Sequence, residues 1–308
     1  MKVYAKNAIV THRLHPLLIL REGWGEFITM NPSQIKQLLF ERGLRPNKNL
    51  GQHFLIDKNI LGKIVDAADL HKNDLIMEVG PGLGVLTEAL VERGAHVKAI
   101  EKDRNFIEHL SAIKNVEVEP GDAAKLDWND LVKGKPWKFV SNLPYAITSL
   151  ALRKALYEVD KAPELVVVLI QREVAERIAP RRSSNVTRPK MSLLSLMVAL
   201  AAKEVAIVHR VPAGAFYPPP KVESAILKIV PRSHVARRTL WGIEPEEVMK
   251  TAKLGFAHPR KLLQRNLNID NSRWEQMVQE IGINGKARAE ELSVEQWVKL
   301  TKHVACSM

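Results

Sequence analysis

From residue 75 onward the chain alternates short apolar runs with segments of helical period. Residues 75–79 form a run of strand length, 84–93 place apolar positions at helical spacing and stop at Gly94, and 97–100 is apolar again. Asp103 is a good cap for a helix running to about residue 113. Further strands are expected at 116–118, 137–140 and 165–170, with helices at 148–157 and 172–178. Nearly continuous apolar strands separated by helices predict a parallel sheet covered on both faces. The expected fold class is α/β, a doubly wound, Rossmann-like domain.

Two more strands, at 205–208 and 225–230, flank Pro218-Pro219-Pro220 and fit an antiparallel edge. Beyond Pro231 the pattern changes to helices alone, at 244–256, 259–267, 272–281 and 294–303. A small all-helical C-terminal domain is therefore expected, with the boundary inside 232–243 and domains at 30–235 and 236–308. Residues 9–20 are fairly apolar, but His12, Arg13 and His15 interrupt them and no small-residue cleavage site follows, so a signal peptide is not expected. Met30 is a second candidate start, which makes residues 1–29 an expected poorly ordered extension.

Charge narrows the partners. Lys and Arg number 46 against 34 Asp and Glu, a net charge of +12 that favours a polyanion. The basic residues are spread along the chain and no apolar run of about 18 residues exists, so a membrane is not expected. Cys306 is the single cysteine, and the ten histidines form no H-x-x-x-H pair, so neither a disulfide within the chain nor a metal is expected. A cytoplasmic monomer without metal is the expectation.

Chemistry enters with Glu78-Val79-Gly80-Pro81-Gly82-Leu83-Gly84, a glycine-rich turn between a strand and a helix. At Gly80 and Gly82 the missing Cβ lets the backbone approach a ligand. Glu101, ending the second strand, is placed to accept two ribose hydroxyls. Pro81 removes an amide that a pyrophosphate cradle would use, which favours S-adenosylmethionine over a nicotinamide dinucleotide. Asp122, after the third strand, fits the cofactor's adenine amine. Asn142-Leu143-Pro144-Tyr145 follows the fourth strand, in the crevice where open α/β sheets bind ligands. An exocyclic adenine amine is a poor nucleophile, and acceptors such as the Asn142 side-chain oxygen and a main-chain carbonyl around Pro144 return electron density to it. Tyr145 offers a stacking face for a base taken out of its helix, and Phe216 is a candidate for the opposite wall.

With these residues in place the chain resembles the ribosomal RNA adenine dimethyltransferase family, nearest its bacterial small-subunit members. The resemblance covers Asn49 to the C-terminus. It rests on Asn49-Leu50-Gly51-Gln52-His53-Phe54-Leu55, the glycine-rich turn, Ser141 to Tyr145, and Phe216 to Ser224, which matches F-x-P-x-P-K-V-x-S. His53 stands where many members have Asn. The resemblance implies that His53, Leu55, Gly80, Glu101, Asp122 and Asn142 line the cofactor. It also implies transfer of four methyl groups to two adjacent adenosines near the 3′ end of small-subunit rRNA, within an assembling 30S particle.

Three basic clusters are expected to contact RNA phosphates: Arg181, Arg182, Arg188 and Lys190; Arg232, Arg237 and Arg238; and Arg260, Lys261 and Arg265. Large-subunit enzymes of the drug-resistance type share the first domain but more often carry Ile at position 143. The segment Phe256 to Lys261 departs from the Arg-rich pattern expected there. Two other readings stay open, an assembly factor with little turnover and a DNA adenine methyltransferase. The latter commonly shows Pro in place of Leu143.

Overall fold

The computed structural model describes residues 32–41, 46–47, 51–179 and 190–305. The first half runs α1 (Pro32–Glu41), β1 (Phe54–Leu55), α2 (Lys58–Ala67), β2 (Leu75–Val79), α3 (Val85–Glu92), β3 (His96–Glu101), α4 (Arg104–Ser111), β4 (Val116–Pro120), α5 (Trp128–Val132) and β5 (Lys138–Asn142). Then come α6 (Thr148–Arg153), β6 (Leu165–Gln171), α7 (Arg172–Ile178), α8 (Leu193–Ala201), β7 (Ala202–Val211), β8 (Phe216–Tyr217) and β9 (Ser224–Pro231). Five helices close the chain: α9 (His234–Trp241), α10 (Pro245–Gly255), α11 (Leu263–Leu267), α12 (Asn271–Ile281) and α13 (Val294–Ala305).

Seven strands form one sheet in the order β4-β3-β2-β5-β6-β9-β7. The five from β4 to β6 are parallel, while β9 runs antiparallel to β6 and to β7. The doubly wound α/β fold and its antiparallel edge are as expected. Strand side chains alternate between two cores: Ile76, Val97, Val140 and Val167 point to one, Met77, Ile100, Phe139 and Val166 to the other. A one-residue slip would exchange these sets, so burial on both faces fixes the register.

The chain leaves β2 toward β3 and β4, then returns to place β5 on β2's other side. That reversal opens a crevice beyond the C-terminal ends of β2 and β5.

The helical end does not stand apart. Val248, Leu263, Trp274 and Trp297 join the same core as Met77, Phe139 and Val166. The expected boundary at 235–236 falls inside α9, capped at its start by the Ser233 side chain. The sequence pattern does not reveal α2, with its Asp57 cap, or α8, which carries a Ser192–Ser195 capping box. The helix expected at 148–157 changes at Lys154 into a π-helical turn, and the one expected at 259–267 shortens to Leu263–Leu267. Residues 1–29 lie outside the described residues.

Candidate active site

A cleft of about 340 Å³ lies at the crevice. Gly80, Gly82, Glu101, Asp122, Asn142, Tyr145 and His53 all line it. The volume is in the range of small-molecule sites.

At one end the glycine-rich turn takes left-handed backbone: φ is +70° at Gly80, +57° at Gly82 and +80° at Gly84. A Cβ on Gly80 would stand 3.3 Å from the ring of Pro144, and one on Gly82 would stand 3.2 Å from the ring of Phe54. These glycines thus set both the turn and its contact with the neighbouring motifs. Glu101, 5% exposed, accepts from the Gly82 amide at 3.0 Å and from the Asp103 amide at 2.7 Å. Each carboxylate oxygen keeps a lone pair for an outside donor, which suits a ribose diol. Asp122 accepts from the Ala124 amide at 3.0 Å and pairs with Lys102 at 3.0 Å. Those two bonds hold its carboxyl below the ordinary range, so it is an acceptor at neutral pH.

Glu78 opens the glycine-rich motif without a role of its own in the sequence reading, yet it lines the same cleft and is 1% exposed. Burial pushes its carboxyl up to about 8 against the pull of the Thr87 hydroxyl, which donates at 2.6 Å, and the nearby Glu101 carboxylate adds to the rise. Burial raises Glu101 as well. Glu78 is thus a neutral hydrogen-bonding group at neutral pH, while Glu101 and Asp122 face the cleft as acceptors for a ligand's hydroxyl and amine donors. The donor set therefore fits S-adenosylmethionine.

The other end is built from distant segments. Ser141 donates to the Val79 carbonyl at 2.7 Å, pinning the end of β5 to the end of β2. Asn142 donates one amide hydrogen to the His53 carbonyl at 3.3 Å, which leaves its side-chain oxygen as an acceptor. The Pro144 carbonyl already accepts from the Ile147 amide at 3.1 Å. Leu143 is buried at 2% and serves the core. The half-buried Tyr145 ring stacks on His53, with centroids 6.0 Å apart and planes 26° from parallel.

Strands β1 and β8 pair Phe54 with Tyr217 and Leu55 with Phe216, so the 49–55 segment and the 216–224 signature meet beside the cleft. Leu55 and Phe216 line it from the core, at 4% and 2% exposure. Phe216 is therefore a packed core aromatic at the edge of the cleft, not an open second stacking wall. Two-residue strands carry no period, so the β1–β8 pairing leaves no signal in the sequence.

The basic clusters divide. Arg181, Arg182 and Arg188 lie outside the described residues. Lys190 is exposed and paired with Glu290. Arg237 does not face RNA as expected: it is 1% exposed, lies over the Tyr157 ring at 5.4 Å and donates to the Arg232 carbonyl at 2.9 Å and to the Leu156 carbonyl. Its charge is spent inside the fold because the residue sits on the inner face of α9. The Arg232 guanidinium donates to the Ala202 carbonyl, and Arg238 is exposed beside Glu244 at 3.5 Å. Arg260, Lys261 and Arg265 are exposed. Among the described residues no group of His, Cys, Asp or Glu is placed to hold a metal ion, and no helix is long and apolar enough to cross a membrane.

Comparison with known proteins identifies the family. A protein from Dehalococcoides mccartyi named ribosomal RNA small subunit methyltransferase A is 38% identical over 278 residues, covering 87% of this chain and 91% of that protein. One of the same name from Alkaliphilus metalliredigens is 36% identical over 90% of this chain and 98% of its own length. Among solved structures, a dimethyladenosine transferase from Plasmodium falciparum has a TM-score of 0.60 at 26% identity, covering 80% of this chain and 96% of its own. The 23S rRNA methyltransferase ErmE has a TM-score of 0.58 at 26% identity, covering 82% and 99%. The family model described as ribosomal RNA adenine dimethylase matches residues 43–305, and the chain belongs to that family.

Proposed function

We infer that this protein transfers methyl groups from S-adenosylmethionine to the N6 of adenosine in small-subunit ribosomal RNA. The observation that carries the reading is the abutment of Gly80 and Pro144, which joins the cofactor turn to the acceptor motif across the crevice. Curated relatives 35–38% identical over most of the chain are named for the small subunit, which favours it over the large one.

The bound cofactor supplies an electrophilic methyl group on a sulfonium sulfur. Glu101 and Asp122 orient the ligand by accepting hydrogen bonds from its ribose hydroxyls and adenine amine. Asn142 holds the acceptor amine through its side-chain oxygen, drawing the nitrogen lone pair out of the ring. Tyr145 stacks the base. A proton leaves the amine after the methyl group arrives, so no strong base is needed. His53 and Leu55 shape the wall next to the cofactor.

The finer reading is dimethylation of two adjacent adenosines near the 3′ end, in an assembling 30S particle, by a cytoplasmic monomer that needs no metal. Arg181, Arg182, Arg188, Lys190, Arg238, Arg260, Lys261 and Arg265 supply the phosphate contacts, while the cleft checks the base. The net charge of +12 supports this division.

The test is methyl transfer from labelled S-adenosylmethionine into unmethylated 30S particles, 50S particles and duplex DNA, followed by nucleoside analysis. Dimethyladenosine is expected in the 30S sample alone. Asn142→Ala should lower the rate by about 10²- to 10³-fold, the scale for removing one preorganised polar group from the reacting centre. Label in 50S particles instead would move the protein to the large-subunit branch, and binding of cofactor with no label anywhere would leave an assembly factor.

A further inference from the structure

The Phe216 to Ser224 signature is spent neither on the cofactor nor on an open stacking wall, yet it reaches Tyr145 by two routes. The first is direct: the Tyr145 hydroxyl lies 2.6 Å from Ser224 Oγ. The second runs through His53, whose Nδ1 is 2.7 Å from the Pro218 carbonyl and whose ring stacks on Tyr145. A carbonyl only accepts, so His53 Nδ1 carries the proton in that bond.

Ser224 is a fixed point. It is fully buried and opens β9 between two neighbours, opposite Gln171 in β6 and Val211 in β7. Just before it, the Glu223 carbonyl accepts from the Arg172 amide at 2.9 Å, and the Glu223 and Arg172 side chains form an ion pair. Tyr145, by contrast, opens a three-residue 3-10 turn. A ring on such a turn can rotate about its side-chain bonds unless its far end is held. The hydroxyl at that far end meets a buried, doubly paired strand end.

We propose that Ser224 is a positioning residue for methyl transfer, its hydroxyl fixing the tilt of the Tyr145 ring and hence the plane in which the acceptor base is presented. The proposal rests on the reading that Tyr145 stacks that base. It gives the signature's last residue a role in catalysis without contact to either substrate. His53 braces the same ring from its face, so the ring is held at its root, its face and its tip.

The experiment measures kcat and KM for methyl transfer into unmethylated 30S particles, with cofactor Kd and thermal melting, for Ser224→Ala, Tyr145→Phe, the double variant and Tyr145→Ala. Ser224→Ala and Tyr145→Phe should each lower kcat by about 10-fold or more, because a small misplacement at the reacting centre is costly. Cofactor Kd should stay within about twofold, and the double variant should be no slower than the slower single one, as for two halves of one interaction. Ser224→Thr, which keeps the hydroxyl, should recover much of the rate. If Ser224→Ala fails to fold, Tyr145→Phe removes the same bond without touching the sheet and decides alone. Unchanged kcat in Tyr145→Phe, or losses that simply add in the double variant, would overturn the proposal. Full activity in Tyr145→Ala would instead remove the stacking reading on which it stands.

Discussion

The two ends of the cleft are built differently. At the end that the proposed function gives to the cofactor, the decisive bonds are local: Glu101 is held by amides 2 and 19 residues away, and Asp122 by one 2 residues away. At the end proposed for the methyl acceptor they span the chain, with separations of 79 residues for Tyr145 and Ser224, 89 for Asn142 and His53, and 165 for His53 and Pro218. One end is thus a property of strand ends and the turns that follow them. The other is an assembly of three segments that exists only once the sheet edge has closed. Local damage should therefore stay local at the first end and spread at the second.

Gly80 is where the contrast can be broken, because it belongs to both ends. Gly80→Val would place a branched side chain at φ +70° against the Pro144 ring. The expected loss is about 100-fold or more in both cofactor affinity and transfer rate, from backbone strain and displacement of the acceptor motif together. Loss of cofactor affinity alone, seen in equilibrium binding beside single-turnover transfer, would show that the two ends are independent.

Next in size is Arg237, which ties α9 to the sheet domain. Arg237→Ala should destabilise the fold by about 2–4 kcal/mol, since it opens a cavity and strips the buried Leu156 carbonyl and the part-buried Arg232 carbonyl of their donor. Denaturant unfolding measures this. At a temperature where the variant is folded, the salt dependence of RNA binding should match the parent's. A flatter slope would return Arg237 to the RNA face.

A smaller effect sharpens the view of the cofactor end. The folded chain keeps the proton on Glu78 up to about pH 8, whereas the ordinary value is 4.5. The folded state therefore binds more protons than the unfolded state between those values, and this group's contribution to stability falls as pH rises through that window. Glu78→Gln removes the titration. Its melting temperature in the absence of cofactor should gain on the parent's between about pH 5 and pH 8. A constant difference would mean Glu78 is ionised in the fold.

Smallest is the effect of Arg181 and Arg182. Replacing both by Ala should weaken RNA binding modestly and lower the salt slope by about 1 for each phosphate left without its cation, with cofactor affinity unchanged. An unaltered slope removes those two residues from the RNA surface.

Much of the cofactor end is legible in the sequence for a simple reason. Strand β2, the glycine turn, Glu101 and Asp122 are short-range patterns, and each follows a strand end that hydrophobic period alone identifies. Helix α8 escapes because it is apolar nearly all round, leaving little periodicity to read. Helix α9 escapes because its basic residues look like a solvated linker, and only packing shows that Arg237 points inward. Glu78 reads as an ordinary strand residue until the fold buries it.

The sequence by itself determined the strands and most helices from β2 to β6, the glycine-rich turn followed by two acids, the Asn142–Tyr145 tetrapeptide and the family, since each is carried by residues close together along the chain. The tertiary structure alone decided that Phe216 belongs to the core, that Arg237 is inside, that the helical end shares the sheet's core and that Ser224 reaches Tyr145. Those outcomes depend on which distant segments pack together, and burial, which sets charge and hydrogen bonding, is a property of the packed chain.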